Sequence, residues 1–159
     1  MAKKTLAMRV LEGKRAPYEV VAYSSEMRDA EAIAAELGVP AGQLFKTLVV
    51  PGSGPGVKAM LVMIPADRQL DLKKLAKAAG VKKLKMAAQR QAEELTGLEV
   101  GGISALALLN RGFTVYLDRS AGQYGQIYVS AGERGLNLKV GVDDLVKVTK
   151  ARLIDVTDV

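Results

Sequence analysis

A single ammonium group interrupts LFKTLVV, Leu44 to Val50, a run that otherwise has the apolar and β-branched character of a buried strand. Side chains alternate across a strand, so Lys46 shares a face with Leu44, Leu48 and Val50, while Phe45, Thr47 and Val49 take the other. Both faces are apolar, which predicts an interior strand. An ammonium there must reach an opening or give up its charge. The competing explanation is a lysine that guards a sheet edge or snorkels to solvent. Two further segments hold candidate chemistry. In GLEVGGIS, Gly97, Gly101 and Gly102 permit backbone conformations closed to other residues, and paired glycines can offer amide N–H groups to an anion or a carbonyl oxygen. A tight turn would use the same residues. In IYVSAGERG, a strand ends at Ser130 and enters a turn, the kind of strand end at which a rigid scaffold displays functional groups.

The chain of 159 residues has no cysteine and no histidine. These two absences exclude disulfides, thiolate nucleophiles, the Ser-His-Asp triad, imidazole relays, and metal sites built on thiolate or imidazole. Lys, Tyr, Ser, Thr, carboxylates, backbone amides and groups on the substrate itself remain. The net charge of +6 favours an anionic partner, RNA first among them. Lys73, Lys74, Lys77, Lys82, Lys83 and Lys85 supply much of it, although an ordinary solvated face has the same composition. With no Trp, five Tyr and two Phe, a stacking platform for single-stranded bases is not expected. The glycine-rich loop from Gly52 to Gly56 lacks the Lys-Ser/Thr that a phosphate-binding loop needs and is followed by strand-like residues, so it reads as a hairpin connection.

The elements that must position these groups alternate along the chain. Helices are expected from Lys4 to Leu11 with Gly13 as the stop, from Asp29 to Gly38, from Leu70 to Gly80 with Asp71 as the cap, near Ala88 to Leu95, and from Asp143. Strands are expected at Tyr18 to Tyr23, Leu44 to Val50, Val57 to Ile64, Leu84 to Met86, Thr114 to Leu117, Gln126 to Ser130, Leu136 to Val140 and Arg152 to Asp155. Several connections are too short for parallel crossovers. The fold class is therefore α+β, a single domain over 1–159 with a largely antiparallel mixed sheet flanked by helices. The longest apolar run, Ala59 to Ala66, is far short of the roughly 20 residues of a membrane span, and the first residues have no secretory signal, so no membrane contact is expected and the default address is cytoplasmic.

In this order and spacing, FKTLVV, QLDLKKLAKAAGVKKLKMA, TGLEVGGIS and IYVSAGERGLNL closely resemble the YbaK family of Cys-tRNA(Pro) deacylases, within the superfamily of prolyl-tRNA synthetase editing domains. The likeness runs from about Tyr18 to the C-terminus. It implies a freestanding enzyme that hydrolyses the ester of a mischarged tRNA, chiefly Cys-tRNA(Pro), with no metal or other cofactor. It implies a catalytic role for Lys46 and substrate binding by Tyr23, Thr47, Gly101, Gly102, Ile103, Ser104, Ser130 and Gly132. In this family the thiol of the substrate cysteine is thought to attack its own carbonyl, which suits a chain without His or Cys. Ala105 and Ala107 stand where the family has proline and glycine, SSEM follows Tyr23, and Ala131 replaces a glycine. Losing the proline should loosen the loop, and these departures bear on which amino acid is removed. The expected partners are the acceptor end of tRNA and, with it, prolyl-tRNA synthetase. A non-catalytic tRNA- or synthetase-binding module and a hydrolase of another small ester or amide are the competing functions.

Overall fold

The computed structural model describes residues 3–158. Helix α1 (Leu6–Gly13) starts where the Thr5 side chain accepts the Met8 N–H, and it buries Ala7, Met8 and Leu11. Strand β1 (Tyr18–Ala22) leads to α2 (Ala30–Leu37), capped by Asp29 and closed by Gly38 at φ 69° as its sequence required. The hairpin of β2 (Phe45–Val50) and β3 (Met60–Pro65) spans the glycine-rich loop and sets Lys46 opposite Ile64. Helices α3 (Leu72–Ala79) and α4 (Gln89–Thr96) follow, with Asp71 accepting the N–H groups of Lys73 and Lys74 at the start of α3. Strands β4 (Thr114–Asp118), β5 (Gln126–Ser130) and β6 (Leu136–Gly141), helix α5 (Val142–Thr149) and strand β7 (Arg152–Ile154) complete the order.

The strands form two ladders. One is antiparallel throughout, in the order β1-β6-β5; the other runs β2-β3-β4-β7, with β2 antiparallel to β3 and the remaining pairs parallel. The expected α+β class with mixed strand directions is what the chain adopts. Phe45 and Val49 enter the largest core, with Leu61, Leu117, Ile127 and Leu138. Val50 enters a second core beneath Leu75 of α3, and Leu44 a third beneath Ile33 of α2. Each such burial contributes roughly 1.5–3 kcal/mol, enough to hold β2 firmly although it ends its sheet.

Four local expectations need correction. Strand β2 is the edge of its ladder and not an interior strand: its two apolar faces pack on two different cores, which covers the faces without requiring a strand on each side. Leu84 to Met86 is not a strand: Leu84 is buried, but no neighbouring strand offers the segment a ladder, and it touches β2 where Ala87 N–H donates to the Val49 carbonyl at 3.2 Å. Helix α5 begins after Gly141, which leaves Asp143 and Asp144 in its first turn, where they favour the positive end of the helix dipole. Gly13 is the last residue of α1 and Lys14 caps it.

Candidate active site

A cavity of about 210 Å³ opens where two edge strands part. β2 and β5 meet at one parallel bridge, Leu44 with Tyr128, where Tyr128 N–H donates to the Gln43 carbonyl at 3.0 Å. Two residues past that bridge β2 has reached Lys46, and β5 has reached its last residue, Ser130. Beyond it the strands follow different ladders. Tyr23 and the start of α2 close one side of the gap, and the segment Val100 to Ile103 closes another. The volume is below the roughly 300–1,000 Å³ of drug-sized pockets and suits a group the size of an aminoacyl ester.

Lys46 is half-buried, and its Nζ donates to the Ala66 carbonyl at 3.3 Å. Among the described residues no carboxylate forms an ion pair with it. The ammonium thus reaches an opening, the first of the two outcomes a cation in this strand allowed. Thr47 Oγ1 is buried and meets no hydrogen-bond partner. Along β2 the Leu44 carbonyl accepts from Ala66 on the β3 side, and the Val49 carbonyl accepts from Ala87 on the opposite side. The alternation of an antiparallel strand therefore turns the main chain of Thr47 toward the free edge.

The glycine loops do two different jobs. Gly101 lines the cavity at φ +95°, whereas the Gly102 N–H closes a turn onto the Glu99 carbonyl at 2.8 Å. The expected pair of free amides is therefore reduced to one. A Cβ on Gly102 would lie 2.9 Å from Glu133 Cα and 3.0 Å from the Arg134 nitrogen, so this glycine lets the two loops touch. Gly132, at φ +102°, donates its N–H to Ser130 Oγ at 3.1 Å, and buried Ser104 Oγ accepts the Ala107 N–H at 3.2 Å. Of the expected site residues, Tyr23, Lys46, Thr47, Gly101, Ile103 and Ser130 line the cavity, and Gly102, Ser104 and Gly132 hold the loops behind it. Ala105 keeps φ −62°, the value proline would impose, so the loop retains that path without the proline.

Burial pushes the Tyr23 phenol above its ordinary pKa, against smaller opposing effects of the Gly135 backbone and Arg134. It is a neutral O–H donor across physiological pH. Three polar lining residues were not expected from the sequence: Arg28, Asp29 beyond its role as a cap, and Asn137. Asn137 is buried opposite Ser130 in the β5/β6 ladder, and turning its amide so that the nitrogen faces the carbonyls of Val129 (3.2 Å) and Leu136 (3.3 Å) lets it donate to both. Arg28 lies in an aperiodic loop where no spacing rule could single it out.

The sequence profile of the aminoacyl-tRNA editing domain matches residues 24–148. The chain belongs to this family. The editing-domain membership agrees with the YbaK-like character of its FKTLVV, TGLEVGGIS and IYVSAGERGLNL blocks. A protein of Enterococcus faecalis (strain ATCC 700802 / V583) named as a candidate Cys-tRNA(Pro)/Cys-tRNA(Cys) deacylase, EbsC, is 38% identical over 157 residues, 98% of this chain and 94% of that one. A crystal structure described as a candidate trans-editing enzyme for prolyl tRNA synthetase is 26% identical with a TM-score of 0.82, covering 99% of this chain and 100% of its own. The crystal structure of a hypothetical protein, 25% identical, superposes with a TM-score of 0.86 over 96% of this chain and 99% of its own. Among the described residues no helix is long and apolar enough to cross a membrane.

Proposed function

We propose that the protein is a trans-acting aminoacyl-tRNA deacylase, a single cytoplasmic domain that removes a wrong amino acid, foremost cysteine, from tRNA(Pro). The observation that carries this reading is the cavity itself, a space of aminoacyl size lined by Lys46, which among the described residues has no carboxylate partner, by the Tyr23 and Ser130 side chains, and by the glycine loop at Gly101. The name borne by the Enterococcus faecalis relative supports the substrate. A prolyl-tRNA synthetase that hands over the mischarged tRNA belongs to the same reading, supported by the description of the trans-editing neighbour.

Ester hydrolysis needs a nucleophile at the carbonyl carbon and donors for the oxyanion that develops there. A bound cysteine brings the thiol the chain lacks. Its sulfur bonds to the carbonyl carbon, the ester C–O bond breaks, the thiol proton passes to the departing ribose oxygen, and water then opens the cyclic thioester. Lys46 holds the terminal phosphate or ribose, Tyr23 and Ser130 offer hydroxyl donors, Thr47 offers its main chain at the free edge of β2, and the Gly101 N–H faces the oxyanion. Holding the reacting groups in register in this way is worth several orders of magnitude in rate.

In this reading the acceptor arm lies along the basic segment that begins with α3. From Leu72 to Ala92 the chain carries Lys73, Lys74, Lys77, Lys82, Lys83, Lys85 and Arg90 and no carboxylate; Lys74 is paired with Asp155 and Arg90 with Glu94, which leaves the other five lysines for an anionic partner. That segment is tied to β2 at Val49, three residues or about 10 Å from Lys46. Reversing Lys82, Lys83 and Lys85 to Glu is expected to raise KM for tRNA substrates and to flatten the dependence of log KM on log salt by about 0.9 for each phosphate no longer neutralised. The kcat of the triple variant should stay within about twofold of wild type.

The deciding assay follows ester lifetimes of Cys-tRNA(Pro), Ala-tRNA(Pro) and Pro-tRNA(Pro). Accelerated loss of the cysteinyl ester with the prolyl ester spared is the expected result. Equal lifetimes with and without protein across a panel of mischarged tRNAs would leave the non-catalytic binding module as the better description.

A further inference from the structure

We propose that Arg134, in the turn after Ser130, is a positioning residue that aims the Gly101 N–H into the cavity. The inference rests on the deacylase reading given above. Its basis is the way one stretch of main chain is gripped from both ends. The Val100 N–H donates to Glu93 Oε2 at 2.8 Å, and the Val100 carbonyl accepts from Arg134 Nε at 2.9 Å. Arg134 is itself anchored, with Nη1 3.3 Å from Glu99 Oε2 and a side chain only 20% exposed.

A trans peptide fixes the consequence. The C=O and N–H of the Val100–Gly101 unit point in opposite directions, so a carbonyl held by Arg134 turns the Gly101 N–H away from Arg134. Arg134 lies on the side of the loop shared with Ser25, Glu99 and Gly132, whereas Val100 and Gly101 also line the cavity on the other side. The amide opposite the clamp therefore faces the cavity, and among the described residues no backbone acceptor takes it. The aliphatic stem of Arg134 lies against Gly101, with Cγ 3.4 Å from the point a Cβ on that glycine would occupy, an ordinary van der Waals contact. The hydrogen bond to the Val100 carbonyl orients the peptide, and glycine takes the φ of +95° without strain. The glycine supplies the donor and the arginine supplies its direction, from a loop 33 residues downstream in the same sequence.

Arg134→Met tests this while keeping a stem against Gly101. The expected result is a kcat on Cys-tRNA(Pro) lower by about a hundredfold, the typical cost of one oxyanion donor, with KM within about twofold. Arg134→Lys, which restores a donor to the Val100 carbonyl, should recover most of that loss. A general loosening of the fold would instead raise KM or lower the melting temperature together with kcat. A second readout is independent of turnover: the amide resonance of Gly101 should shift when wild type binds 3′-deoxy-3′-(cysteinylamino)adenosine, and the shift should be lost in Arg134→Met. Wild-type kcat in Arg134→Met, or a Gly101 resonance indifferent to the analogue in wild type, would overturn the proposal. If wild type cleaves no mischarged tRNA, the deacylase reading fails, and the resonance still decides whether the clamp aims that amide.

Discussion

Replacing Lys46 with alanine is expected to lower kcat/KM for Cys-tRNA(Pro) by about a hundredfold or more, with the melting temperature almost unchanged. The side chain is half-buried and makes one hydrogen bond, to the Ala66 carbonyl, so its removal leaves the packing of Phe45, Val49 and Val50 intact. What disappears is a fixed cation at the cavity, and misplacing a substrate by about 1 Å can cost on the order of a hundredfold in rate. Lys46→Arg retains the charge, but a planar fork cannot occupy the space of a point ammonium, so it should recover only part of the activity. Single-turnover deacylation with thermal unfolding in parallel checks both halves. A Lys46→Ala protein with wild-type turnover would remove this residue from the reaction.

Gly102→Ala should have the largest effect on stability of any single methyl added near the site. Its Cβ would meet backbone atoms of Glu133 and Arg134 at 2.9–3.0 Å, and backbone cannot swing aside as a side-chain tip can. Overpacking of this kind costs roughly 1–3 kcal/mol. For a chain of this length that corresponds to a fall in melting temperature of about 2–12 °C, read from a thermal unfolding curve. Because the methyl wedges apart the two loops that bring Gly101 and Ser130 to the cavity, activity should fall as well. By contrast, alanine at Gly122, which has open space around its Cβ direction, should leave melting temperature and turnover near wild type.

Lys46 was legible because a charge inside an apolar strand conflicts with local burial, and such conflicts concentrate at functional sites. The hairpin turns, the helix caps at Asp29 and Asp71, and the αL stops at Gly38 and Gly80 were legible because turn and cap chemistry is local. The edge position of β2 was not. Apolar residues on both faces say that two cores are present, and nothing in the segment says whether strands lie on both sides. The division of labour between Gly101 and Gly102 was equally hidden, since it is fixed by Glu133 and Arg134, some 30 residues away in the sequence. Arg28 and Asn137 reach the cavity through tertiary folding alone.

The solitary bridge between Leu44 and Tyr128 gives the molecule something like the rivet of a pair of tweezers. The tips, Lys46 on one arm and Ser130 on the other, sit about 7 Å past the rivet. A rotation of only about 10° there, well within the spread of twist between neighbouring strands, would widen or narrow the jaws by about 1 Å. That is comparable to the size difference between neighbouring small amino acids. The room left for a small side chain therefore depends on the angle at which the two ladders cross at that main-chain contact.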